Sequence, residues 1–155
     1  MKKTLLILVL FLASIFDAEA QLNKANQAAG SEMRATLPSA GSLLMELANN
    51  LDSSAFSDNW GSVKDTWMND ASKVTNPVEL GKLTSALIEN VKPTAFTDKF
   101  NKDKSGFMKS TTSPNNLNDI GLLFEKLQVG LKPTSFLPQW ASKSNDWLQA
   151  IKLLK

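Results

Sequence analysis

The chain has 155 residues, a formal net charge of +2, and no histidine, cysteine or tyrosine. That length buries a real core without disulfides or metal staples. The missing residue types exclude Ser-His-Asp and Cys-His nucleophilic sites, the usual zinc ligands, thiol redox chemistry and the commonest general base. The small, evenly spread charge gives no footing for nucleic acid or an anionic membrane as partner.

The N-terminus reads as a secretory signal over residues 1–20. Lys2 and Lys3 precede an apolar run from Leu5 to Phe16, and Ala18-Glu19-Ala20 supplies a small-x-small cleavage site. The run is shorter than the ~20 residues a spanning helix needs. Cleavage after Ala20 is therefore expected, leaving a secreted or periplasmic chain with no transmembrane segment. The signal carries two lysines with Asp17 and Glu19, so its removal leaves the net charge at +2. Residues 21–35 are polar with scattered alanines and show no apolar face, the pattern of a flexible leader.

From residue 36 the chain repeats itself. Leu51-Asp-Ser-Ser-Ala-Phe-Ser-Asp-Asn-Trp60, Val91-Lys-Pro-Thr-Ala-Phe-Thr-Asp-Lys-Phe100 and Leu131-Lys-Pro-Thr-Ser-Phe-Leu-Pro-Gln-Trp140 stand forty residues apart. The register holds without a gap through Gly41/Gly81/Gly121, Leu43/Leu83/Leu123, Leu47/Leu87/Leu127 and Phe56/Phe96/Phe136. A fixed period of this size marks a tandem supersecondary unit, here over about 36–75, 76–115 and 116–155. The period is compatible with HEAT-like lengths, but neither those signatures nor the tetratricopeptide pattern is present.

Each copy predicts two helices. In the second copy Asn76 caps the first helix, Pro77 fits its first position, and Glu79 completes a capping-box-like pattern. The third copy offers Asn116-Leu117-Asn118-Asp119 in the same place. Leu80, Leu83, Leu87 and Val91 then step by three or four along one face, as do Ile120, Leu123, Leu127 and Leu131. Asn50, Asn90 and Gly130 share the slot where a helix ends in the left-handed conformation. Gly41, Gly81 and Gly121 lie inside the first helices, at ~1 kcal/mol each relative to alanine, which points to another helix crossing close by.

A turn follows, with Ser54, Thr94 and Thr134 expected to cap a second helix of about 17 residues, longer than the first at about 13. Pro138 then falls in that helix's first turn, where its missing N–H costs little. The second helix carries Phe56, Trp60, Val63, Trp67 and Ala71 in the first copy, and Phe136, Trp140, Trp147 and Ile151 in the third. The fold class predicted is all-α: three tandem 40-residue helical hairpins, six helices in all, forming a compact bundle or a short α-solenoid.

Chemistry is sparse. No phosphate-cradling glycine motif occurs. Asp58 and Asp98 share a slot near a helix N-terminus, where they serve the dipole, and the third copy puts Pro138 there. Asn101-Lys-Asp103-Lys-Ser105-Gly106 resembles the opening of a calcium loop, but its twelfth position is Thr112 and the sister segments lack the pattern. A solvated helix face is expected there. No catalytic residue, metal or cofactor is assigned.

The candidate binding residues are the aromatic ladder Trp60, Trp67, Phe100, Phe107, Trp140 and Trp147, seven apart within each copy. At helical spacing such residues fill a core. The functional alternative is that some line a groove between second helices for an unknown protein or an apolar small ligand. The reading is an exported, non-enzymatic binding module. A structural envelope or extracellular component acting through protein contacts is the alternative, and a carboxylate- or lysine-based enzyme the third.

Overall fold

The computed structural model describes residues 37–154; the signal at 1–20 and the leader at 21–35 lie outside them. Among the described residues the chain is all-helical. Helix α1 occupies 37–49, followed by α2 (Trp60–Ser72), α3 (Pro77–Asn90), α4 (Asp98–Ser110), α5 (Leu117–Gly130) and α6 (Trp140–Lys152). Short 3₁₀ turns at Ser53–Ala55, Pro93–Ala95 and Pro133–Ser135 link α1 to α2, α3 to α4 and α5 to α6. No described helix is long and apolar enough to cross a membrane.

The first helices start as their sequences dictate. The Asn76 side chain accepts from the Glu79 N–H at 3.0 Å, and the Glu79 carboxylate accepts from the Thr75 N–H at 2.8 Å. Asn116 and Asp119 repeat the arrangement, with Asn115 donating to Asp119. Each pair satisfies N–H groups that a helix start leaves without partners.

The glycines inside these helices mark close crossings. A Cβ on Gly41 would collide with the Ala71 carbonyl, and one on Gly81 with the Thr111 carbonyl. On Gly121 it would stand 3.0 Å from the Ile151 oxygen. Each first helix thus rests on the C-terminal end of the second helix in its own copy.

Two expectations fail at the middle of each copy. The second helices are shorter than expected, at 13 residues. Ser54, Thr94 and Thr134 do not cap them but sit inside the 3₁₀ turns, and Pro138 precedes α6 instead of entering it. The cause is the next residue. Phe56, Phe96 and Phe136 are extended, with φ and ψ of −92° and 152° at Phe56, and this breaks the helix.

That break lets the copies pair. Phe56 bridges Val91, Phe96 bridges Leu131, and Phe136 bridges Leu51. Around each bridge run two backbone bonds, such as Lys92 N–H to Ala55 and Ser57 N–H to Asn90, both at 2.8 Å. Thr97 donates to Gly130 and Lys132 to Ala95; Leu137 donates to Asn50 and Asp52 to Ser135. First copy joins second, second joins third, and third returns to first. The arrangement is a closed ring, so of the two architectures expected the chain adopts the compact bundle.

The left-handed helix ends also do not occur, since no described residue has positive φ. Val91 and Leu131 leave the helix in extended backbone because their neighbours must join the ring. Asn50 and Asn90 instead donate their side-chain amides to the carbonyls of Glu46 and Ala86, each at 2.8 Å. Gly130 lacks a Cβ for a different reason: the Phe100 ring occupies that space.

Candidate functional site

All six ladder residues are buried, with Trp147 only 2% and Phe100 and Phe107 each 8% exposed. In each copy the extended phenylalanine stacks on the first ladder ring, which meets the second at an angle. Phe56 lies 4.7 Å from Trp60 at 4° between planes, and Trp60 lies 5.5 Å from Trp67 at 63°. Phe96–Phe100–Phe107 and Phe136–Trp140–Trp147 repeat the geometry. Offset and edge contacts of this kind add roughly 0.5–1.5 kcal/mol each beyond area burial.

Two indoles tie neighbouring copies together. Trp67 Nε1–H donates to the Leu83 carbonyl at 2.9 Å, and Trp147 Nε1–H to the Leu43 carbonyl at 2.8 Å. The second bond joins the last copy to the first. Phe107 occupies the matching position in the second copy and has no N–H to give. Trp140 Nε1 is buried without a partner among the described residues. The ladder is therefore mainly core, and Trp67, Phe100 and Phe107 also reach a concave surface.

Two concave surfaces among the described residues lie elsewhere than between second helices. Each has the second helix of one copy and the first helix of the next as its walls. One, of about 690 Å³, runs between α2 and α3 over Trp67 and Leu83. The other, of about 870 Å³, runs between α4 and α5 over Phe100 and Phe107. Its walls include Gly106 from α4 and Leu122, Val129 and Gly130 from α5.

Internal repetition gives the second groove its own controls. Leu122 is 48% and Val129 68% exposed, two of the few large apolar side chains left in water. The same slots hold Ser42 and Lys82, and Asn49 and Glu89, in the other copies. Both other copies have tryptophans where this one has Phe100 and Phe107, so the floor is less filled.

Gly106 replaces Thr66 and Asp146, and nothing lies within 4 Å of where its Cβ would stand. A mid-helix glycine with no crowding neighbour is a cost of ~1 kcal/mol that internal packing does not explain. Five departures from the repeat, at Phe100, Gly106, Phe107, Leu122 and Val129, converge on one surface.

The remaining polar motifs serve the helices. Asn101 to Gly106 lie within α4, and the Asn101 amide donates to the Pro93 carbonyl at 2.9 Å. Asp98 sits in the first turn of α4, which Thr97 caps through the Phe100 N–H at 3.2 Å. Among the described residues no cluster of three or more acidic side chains could hold a metal ion.

Sequence reasoning missed Leu122, Val129 and Gly106. The signal was present in the repeat alignment, as apolar residues at slots that are polar in the sister copies. No known family, curated protein or solved structure matches the chain.

Proposed function

We propose that this is an exported, non-enzymatic binding module whose working surface is the α4–α5 groove. The observation that carries the reading is the pair Leu122 and Val129, exposed above Phe100 and Phe107 where the sister copies present polar groups. Apolar side chains exposed together above a concave floor mark binding surfaces far more often than scattered ones do. Residue chemistry supports the non-enzymatic part, because the chain lacks histidine and cysteine.

The test uses the apolar fluorescent anion 1-anilinonaphthalene-8-sulfonate as a groove probe on the full mature chain, read by amide NMR. Shifts centred on Gly106, Leu122 and Val129 are expected. A double variant, Leu122→Lys with Val129→Glu, should abolish them while leaving the spectrum otherwise folded. Those residues already stand at these slots in the second copy as Lys82 and Glu89. Unchanged probe binding by the double variant would overturn the assignment of the surface. N-terminal sequencing of the protein recovered from its host tests export: Gln21 is the expected first residue, and an intact Met1 on the working protein refutes it.

A further inference from the structure

We infer that the occupant of the α4–α5 groove is an amphipathic helix of a partner protein, with acidic residues flanking its apolar face; this rests on the groove being the binding surface. Shape argues first. Ligand pockets bury most of a small molecule's surface. Here Val129 stands 68% exposed on the rim, so a lipid chain laid beside it would stay half wet. A helix brings its own side chains to cover such a ridge. Leu122 and Val129 are seven residues apart, two turns or ~10.5 Å along α5, the spacing that i, i+3/i+4 and i+7 anchors match. Gly106 leaves the α4 wall open for one anchor to reach backbone.

Charge argues second. Lys99, Lys102 and Lys126 line this groove. The sister copies place Asn59 and Gln139, Ser62 and Ser142, and Ala86 and Glu46 at those slots, none of them cationic. Asp103 and Glu125 also face the groove, so the rim is mixed in sign with a basic excess. A single anionic headgroup does not complement two acids among three lysines. A peptide with several charges and an acidic surplus does, and such patterns set register and partner choice.

The test is selection of random 20-residue peptides, displayed on a helical scaffold, against the full mature chain. Enriched peptides should show apolar residues at helical spacing flanked by Asp and Glu. Their affinity should fall roughly thirtyfold or more on Leu122→Lys with Val129→Glu, the loss expected when both apolar anchors are replaced by charges. It should also weaken with added salt, as rim charges do.

A parallel NMR titration with dodecanoate separates the levels of failure. If dodecanoate moves Leu122 and Val129 while no helical peptide is enriched, the groove reading survives and the helix occupant is overturned. Enriched peptides without acidic bias, or ones that bind the double variant equally, also overturn it. If neither dodecanoate nor any peptide touches these residues, the helix occupant and the groove reading fall together.

Discussion

Substituting alanine for glycine at four helical positions should give effects of opposite sign. In an open helix the change stabilises by up to ~1 kcal/mol, through backbone entropy and helix propensity. Gly106 is such a site, with nothing within 4 Å of the added methyl. At Gly81 the methyl would run into the Thr111 carbonyl and sit 3.1 Å from the Pro114 ring. Neither can rotate away, so α3 must lift off the end of α4. Overpacking of this kind costs typically 1–3 kcal/mol. Contact with backbone puts Gly81 at the upper end, for a net loss of about 2 kcal/mol after the propensity gain.

Gly41 should behave like Gly81, because its methyl meets the Ala71 carbonyl. Gly121 should fall between, since the Ile151 oxygen stands 3.0 Å away and needs to yield only slightly. The assay is urea unfolding of the full mature chain, followed by fluorescence of the four tryptophans. A gap of about 3 kcal/mol between Gly106→Ala and Gly81→Ala is expected, or roughly 12 °C in thermal midpoint at this domain size. Gly81→Ala as stable as Gly106→Ala would refute the close-crossing argument.

Trp147→Phe should cost about 2–3 kcal/mol, from one lost hydrogen bond and a partial cavity, with the urea midpoint as readout. Trp140→Phe should cost less by about 1 kcal/mol or more, because it also removes a buried N–H that has no partner among the described residues; equal costs would mean that the Leu43 bond contributes nothing. Glu79 is held below its ordinary carboxyl range, chiefly by the Thr75 N–H. A depressed folded pKa contributes stability above the unfolded value, lost as pH falls through the folded one. Glu79→Gln should therefore lower the thermal midpoint near pH ~7, with the gap closing as pH falls through the depressed carboxyl pKa. A gap independent of pH would sink that account.

The chain's own residues determined the helical class and the first-helix caps, because these are written in contacts between residues three or four apart. They determined the forty-residue period as well, because the segments themselves recur along the chain. The crossings at Gly41, Gly81 and Gly121 were legible for a related reason: a glycine at a helix interior is costly, and three copies of that cost point to packing. Ring closure was not legible. Phe56, Phe96 and Phe136 fit a helical face by spacing, and only pairing with backbone from another copy makes them extended. That same pairing removes the left-handed ends expected at Asn50, Asn90 and Gly130. The aromatic ladder was visible as a stripe, yet its burial depends on which helices the ring sets beside it. The groove also awaited tertiary structure: Leu122 and Val129 count as apolar residues in any sequence, and only the placement of α4 against α5 leaves them in water above two phenylalanines.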